Sequence, residues 1–245
     1  MPRVAARDIL EVAAIAGYGV ALVEPDCPEM ADAALQAALA EEAPVALAVA
    51  PDVAAQFIAR LDDLMNEVKI PAYLHALPGH PLSARELAEL GVSSLAVDFS
   101  ALSPEENLKK TQAAVEQAHA AGLWAQAALG WKAMDFDPDK GATFARDSGC
   151  NVLAVDPGVG ALNLDVLREL ANRLITFPLA VEDPVAATAD HAQGQAHWLG
   201  RTAHMGLCQV NFTQQMRQAK DQDGIQAATE RLRELMRSIG STGRW

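Results

Sequence analysis

The sequence predicts a single (β/α)8 barrel over residues 1–245, with one extra helix ahead of the first strand. Three observations predict it. Short apolar runs alternate with helix-period segments along the whole chain. Several of these runs are near-continuous in Val, Leu and Ala, as in parallel strands covered on both faces. Gly91, Gly122, Gly149 and Gly206 each stand between a helical segment and the next apolar run, where glycine ends a helix without strain. Eight such units at this length fit one barrel better than two domains.

The elements follow in order. A helix is expected over Arg3–Ala16, then a first strand over Tyr18–Val23. The remaining strands are expected at Pro44–Val49, Pro71–Ala76, Val92–Asp98, Leu123–Leu129, Val152–Asp156, Pro178–Val181 and Leu207–Phe212. Helices are expected over Glu29–Glu42, Val53–Val68, Ala84–Leu90, Glu105–Ala121, Asp139–Ser148, Leu164–Leu174, Ala186–Leu199 and Gln215–Ile239. Ser103-Pro104-Glu105-Glu106 supplies an N-cap serine, a first-turn proline and carboxylates at the positive end of the helix dipole. A doubly wound sheet would need a Gly-rich phosphate turn after the first strand, and Leu22-Val23-Glu24-Pro25-Asp26 has none.

Composition narrows the partners. The chain is 51% hydrophobic and 21% charged, which excludes disorder as its main state. The formal net charge of −13 argues against nucleic-acid phosphates and anionic membrane surfaces. The longest uncharged apolar run, Val12 to Val23, is too short to cross a bilayer and is interrupted by Gly17 and Gly19. No targeting segment is evident, so a cytoplasmic location is expected. Cys27, Cys150 and Cys208 are too widely spaced for a disulfide framework or a zinc knuckle and are read as incidental.

Four segments, in order, resemble the class II (metal-dependent) ketose-bisphosphate aldolases. The first is Gly17-Tyr18-Gly19-Val20-Ala21, followed by an acidic helix and Ala43-Pro44-Val45. The second is Val97-Asp98-Phe99-Ser100-Ala101-Leu102-Ser103-Pro104-Glu105-Glu106-Asn107, similar to the family's D-G-S-x-x-P-x-E-E-N, with Ala118-His119-Ala120-Ala121-Gly122 where the family has A-H-A-x-G. The third, Gly206-Leu207-Cys208-Gln209-Val210-Asn211-Phe212, looks like the family's eighth strand, G-V-x-K-I-N-I. The fourth, Ile239-Gly240-Ser241-Thr242-Gly243-Arg244, is close to its F-G-S-A-G-K/R ending. The resemblance covers almost the whole chain. It implies a barrel in which a divalent cation, usually zinc, is held by three imidazoles and polarises a ketose carbonyl. A carboxylate moves the proton, and backbone amides and hydroxyls hold phosphate.

The implied site is largely absent from this chain. The family's H-L-D-H-G aligns with His75-Ala76-Leu77-Pro78-Gly79, so Leu77 takes the place of the catalytic Asp and Pro78 that of the first zinc His. Its second zinc His falls in Asp156-Pro157-Gly158-Val159-Gly160, which has none, and Glu182 stands in for the third. The E-x-E after the fifth strand becomes Gln126-Ala127-Ala128, and Glu182 through Ala187 lack the Gly-Ser phosphate loop. Zinc bound in the family's manner is therefore not expected, and no cofactor is assigned.

What remains at the C-terminal ends of the strands is mainly acidic: Glu24, Asp26, Asp98, Asp135, Asp156, Glu182 and Asp183, with His75, His80, Lys132 and Asn211. Barrel sites lie at that end. The substrate-binding set read from it is Asn211, Asp98, Ser100, Glu24, His75, Asp156 and Glu182; no catalytic residue is assigned. Such a pocket suits a cation, a neutral polar molecule or a hard metal with oxygen ligands better than a bisphosphate. Alternatively the carboxylates cap helices, and Asp98 with Ser100 only satisfies backbone amides. His75 and His80 could rebuild a metal site with Asp98 or Glu182, and Lys132 could form a Schiff base. The remaining histidines, His119, His191, His197 and His204, read as helix surface or packing, and Trp131, Trp198 and Trp245 as packing or contact residues.

Two functions follow. One is a lyase or isomerase on a small carbonyl compound that is not a bisphosphate, working without three-histidine zinc. The other is a catalytically inactive relative that binds or assembles. A small-molecule ligand is the expected partner. Family members are often dimers or tetramers, so the resemblance admits a homo-oligomer.

Overall fold

A computed structural model describes residues 4–129, 137–155, 164–181, 203 and 206–244. Its sheet is a closed barrel of eight parallel strands in the order β1 to β8. These are β1 (Val20–Val23), β2 (Val45–Val49), β3 (Ala72–Ala76), β4 (Val92–Asp98), β5 (Trp124–Ala128), β6 (Val152–Val155), β7 (Leu179–Val181) and β8 (Leu207–Asn211). The helices among the described residues are α1 (Ala6–Ala16), α2 (Pro28–Ala40), α3 (Ala55–Glu67), α4 (Ala84–Glu89), α5 (Pro104–Ala120), α6 (Pro138–Ser148), α7 (Leu164–Arg173), α8 (Thr213–Asp223) and α9 (Ile225–Ser238). The fold is the (β/α)8 barrel that the alternating pattern predicts.

Local chemistry sets the helix ends where expected. Ser103 caps α5 by accepting from the Glu106 N–H, with Pro104 at the first helical position. Ser83 and Glu86 form a reciprocal capping box on α4. All four glycines noted before strands have positive φ. One helix differs from expectation. The segment read as a single helix over Gln215–Ile239 is two helices, broken at Gly224, whose φ of 87° and ψ of −179° no helix accommodates. The helix expected over Ala186–Leu199 lies outside the described residues.

Two apolar clusters build the molecule. Outward strand residues such as Ala21, Val45, Leu47, Leu74, Leu153 and Val210 pack under the helices. Inward residues Val20, Leu22, Ala46, Ala48, Tyr73, Val152 and Ala180 form a second cluster with Ala6, Ile9, Leu10 and Ala13 of α1. The extra helix therefore covers the N-terminal end of the barrel, opposite the end where barrel sites lie.

The strand register fixes the levels inside. Four inward side chains from alternate strands share each level of such a barrel. Ala46, Ser94, Val152 and Gln209 lie at one level; Leu22, His75, Gln126 and Ala180 lie at the next. Above these, toward the C-terminal ends, come Ala48, Ala96, Ala154 and Asn211.

The N- and C-terminal segments that carry the resemblance meet at the first strand. The Gly19 N–H donates to the Ile239 carbonyl at 2.9 Å. A Cβ on Gly19 would stand 2.9 Å from the Ile239 Cβ, so only glycine fits there. Nearby, Glu41 at the end of α2 accepts from Arg233 and Arg237 of α9 and from Thr242.

Candidate functional site

The site is built from strand ends and the interior levels below them. β3 carries His75 as its penultimate residue, between outward Leu74 and Ala76. His75 is wholly buried, and its Nδ1 lies 3.0 Å from Ser94 Oγ on β4. Its Nε2 is buried and has no hydrogen-bond partner among the described residues. Burial disfavours the charged imidazolium and pulls the pKa down to about 4, so His75 is neutral at neutral pH.

His75 lies within the third strand, as the expected span to Ala76 has it, and its ring is buried in the barrel interior rather than exposed at the mouth. His80 lies beyond the turn, half-buried, and its Nδ1 accepts from the Leu82 N–H. No group of three metal-ligating side chains exists among the described residues, so His75, His80 and Asp98 do not converge.

Beside His75 runs a hydrogen-bonded chain across the interior. Tyr73 Oη donates to Gln209 Oε1 at 2.5 Å, and Gln209 Nε2 donates to Gln126 Oε1 at 2.9 Å. All three side chains are buried. Gln126 and Gln209 are the positions where the resembled family has a glutamate and a lysine. Two departures that are far apart in sequence are therefore hydrogen-bonded partners, and both are uncharged.

Asn211 ends β8 at the mouth-side level. Its Oδ1 accepts from the Thr213 N–H at 2.9 Å, which turns the chain into α8 and leaves the amide nitrogen unused among the described residues. Glu24 follows β1. Its N–H donates to Thr213 Oγ1 at 2.8 Å, and its carboxylate pairs with Arg217 of α8 at 3.0 Å. Asp26 receives Lys220 Nζ at 2.9 Å; burial alone would raise its pKa, but the Lys220 hydrogen bond and charge hold it below the usual range. The mouth on this side is thus less acidic in effect than its residue count suggests.

Asp98 and Ser100 behave as the structural alternative describes, with one difference. Asp98 Oδ1 accepts from the Ser100 N–H at 2.8 Å, closing a turn, but Asp98 is exposed rather than buried. Asp156, Glu182, Asp183, Lys132, Asp135, Trp131, Trp198, Trp245, His191, His197 and His204 lie outside the described residues. His119, on α5, bonds Asn151 at 2.8 Å, away from the mouth. All three cysteines are free; burial pushes the Cys150 thiol up to about 11 and Cys208 to about 12, which makes both unreactive.

Ser94, Tyr73, Gln209, Thr213 and Arg217 are missed by sequence reasoning. The paired replacement of the family's Glu and Lys could have pointed to Gln126 and Gln209 as neighbours. Nothing local marks Ser94 or Arg217.

A zinc centre of the family's kind does not fit the described residues. Leu77 and Pro78 offer no donor atom at the two places that matter most. Leu77 instead packs against the inner apolar cluster. His75 has one nitrogen on Ser94 and lies a level below the mouth-side ring that contains Asn211. No helix among the described residues is long and apolar enough to cross a membrane.

Comparison with known proteins agrees with this architecture. The family model described as fructose-bisphosphate aldolase class-II matches residues 4–244. The fructose-bisphosphate aldolase of Streptococcus pneumoniae is 30% identical over 210 residues, covering 74% of this chain and 71% of the relative. That of Streptococcus pyogenes is 29% identical over 210 residues with the same coverage. Among solved structures, the YdjI aldolase of Escherichia coli K12 superposes with a TM-score of 0.81 at 23% identity, covering 97% of each chain. The fructose-bisphosphate aldolase of Campylobacter jejuni superposes with a TM-score of 0.75 at 13% identity, covering 96% of this chain and 94% of that one. These two likenesses show the fold; the family model and the 30% identical relative show the descent. The chain belongs to the class II fructose-bisphosphate aldolase family.

Proposed function

We propose that this family member acts as a lyase or isomerase on a small carbonyl compound that carries no bisphosphate, without the three-imidazole zinc centre. The observation that supports it is the end of β3. Leu77 and Pro78 occupy the places of the catalytic Asp and the first zinc His, and the only neighbouring imidazole on the strand is the interior, neutral His75.

The relatives' shared name would make fructose bisphosphate the substrate by descent. Against that stand the exposed carboxylate of Asp98 at the mouth and the use of the Thr213 hydroxyl by the Glu24 backbone. The proposed substrate-facing residues are Asn211, His75 and Glu24, with Asp98 and Ser100 at the rim and Asp156 and Glu182 completing the set. The proposed partner is a small molecule, and the net charge of −13 supports the absence of nucleic acid from the list.

The test is turnover by the purified protein. Fructose 1,6-bisphosphate with added zinc is expected to remain uncleaved, while an unphosphorylated hydroxy-carbonyl compound is converted at a rate that chelators do not change. Zinc-dependent cleavage of the bisphosphate overturns the reading.

A second reading, a non-catalytic binding or assembly protein, is favoured by one observation. The carboxylates of Glu24 and Asp98 are both engaged, one by Arg217 and the other by the Ser100 N–H. Saturable binding of a hydroxy-carbonyl compound with no conversion of any member of the class would select it.

A further inference from the structure

A cavity of about 420 Å³ opens at the end of the barrel opposite the mouth, where β4, β5 and β6 begin. Small ligands occupy volumes of this size. Its walls include Arg7 of α1, Ser93 of β4, His119 in the last turn of α5, Trp124 of β5 and Asn151 just ahead of β6. The flank formed by Gly122 is open, since a Cβ built there meets nothing within 4 Å. The cavity shares no residue with the mouth.

The hydrogen bonds around it show which polar atoms remain available. Asn151 Oδ1 accepts from the Ala125 N–H at 2.9 Å, which fixes the oxygen end of that amide. The same oxygen lies 2.8 Å from His119 Nε2, so this nitrogen carries the hydrogen and donates. Asn151 Nδ2 is left without a partner among the described residues. Ser93 Oγ accepts from the Ala6 N–H at 3.2 Å, and its own hydrogen is free to donate. Arg7 meets Glu11 through Nε at 3.1 Å, and its two terminal amino groups have no partner among the described residues. Arg7, Ser93 and Asn151, from three different elements, thus bring free donors to one cavity. Beside them Trp124 packs half-buried against the inner apolar cluster.

We propose that this cavity binds a small organic monocarboxylate with a flat apolar body, its carboxylate on Arg7 and its body against Trp124. The free edge of a guanidinium whose Nε is occupied presents two parallel N–H groups, the spacing that suits the two oxygens of a carboxylate. The Ser93 hydroxyl and the Asn151 amide supply donors for the remaining lone pairs. Glu11 offsets part of the Arg7 charge, so the site balances one negative charge and not the two of a phosphate. The indole offers a large apolar surface to a planar body.

Benzoate is the probe, added to full-length protein carrying 15N-labelled tryptophan and histidine. The indole resonance of Trp124 and the ring resonances of His119 are expected to move saturably, while those of the other three tryptophans stay still. Benzamide, which has the same shape without the charge, is expected to bind roughly tenfold or more weakly. Arg7→Gln is expected to weaken benzoate binding by a similar factor. The Arg7 side chain is 64% exposed, so this variant is expected to unfold at nearly the temperature of the unsubstituted protein. A Trp124 resonance unmoved at the highest benzoate concentration overturns the site, as do shifts confined to other tryptophans. Equal binding of benzoate and benzamide, undiminished binding by Arg7→Gln, or tighter binding of inorganic phosphate than of benzoate overturns the assignment of a carboxylate to Arg7. The site stands apart from the reaction proposed above, and neither outcome depends on turnover.

Discussion

Gln209 Nε2 donates to Gln126 Oε1 at 2.9 Å across the barrel interior, joining residues 83 positions apart on β8 and β5. The resembled family fills these places with a lysine and a glutamate. An isolated buried charge is costly, and removing one member of a buried pair leaves the other stranded. Replacing both at once with amides keeps the hydrogen bond and removes the charge. The interior under the mouth is neutral as a consequence.

A double-mutant cycle tests this coupling. Gln209→Lys alone is expected to destabilise the protein by about 2–4 kcal/mol, because it brings an unpaired ammonium into the core. Gln126→Glu alone is expected to do likewise. The double substitution should recover at least about 1 kcal/mol relative to the sum, read from urea unfolding. Strict additivity would mean that the two residues are not a unit.

Acid should destabilise the fold through His75. Its folded pKa of about 4 lies below the unfolded value of 6.5. Between those values the unfolded chain binds the proton and the folded chain does not. Stability therefore falls as pH drops from 6.5 toward 4, by up to about 1.4 kcal/mol per pH unit from this group. His75→Gln should flatten that part of the stability curve, and an unchanged slope would place the ring in a more hydrated setting than the interior of β3 gives it.

Glu41 ties α2 to α9 and to the C-terminal segment. Only 4% of its side chain is exposed. Burial alone would raise its pKa, but hydrogen bonds from Arg237, Arg233 and Thr242 outweigh that and hold it below the usual range. A carboxyl with a depressed folded pKa adds stability above its unfolded pKa and loses it as pH falls through the folded one. Glu41→Gln is expected to cost about 2 kcal/mol at neutral pH, since both arginines are partly in water and screened. The difference from the unsubstituted protein should shrink in acid. A cost independent of pH would assign the effect to packing.

Gly19 is irreplaceable for steric reasons. Gly19→Ala places a methyl 2.9 Å from the Ile239 Cβ, too close for contact and too rigid to yield. A loss of about 1–3 kcal/mol is expected in thermal unfolding. Pairing Gly19→Ala with Ile239→Ala leaves the Cβ of residue 239 in place and should not rescue it.

Much of the fold was legible because barrel strands and helix ends are local signals. Near-continuous apolar runs such as Val45–Val49 mark strands covered on both faces, and glycines such as Gly149 mark where helices stop. Helical spacing continues on both sides of Gly224, so the sequence predicts one helix there, and only the backbone angles of Gly224 reveal the break. The site was less legible. His75 falls inside the expected third strand, but how deep its ring sits is decided by the barrel register and by Ser94 on the neighbouring strand. The engagement of Glu24 by Arg217 spans 193 positions, and no spacing rule reaches that far. The acidic rim looked stronger in sequence than it is, because the cations that offset it sit on α8.

The proposed function has this barrel keep the family's fold without the three-imidazole zinc centre. X-ray absorption at the zinc edge, on protein equilibrated with one equivalent of zinc and then dialysed, tests it most directly. No retained zinc with imidazole ligation is expected. One tightly held zinc per chain, with a coordination shell of histidine nitrogens, would contradict it.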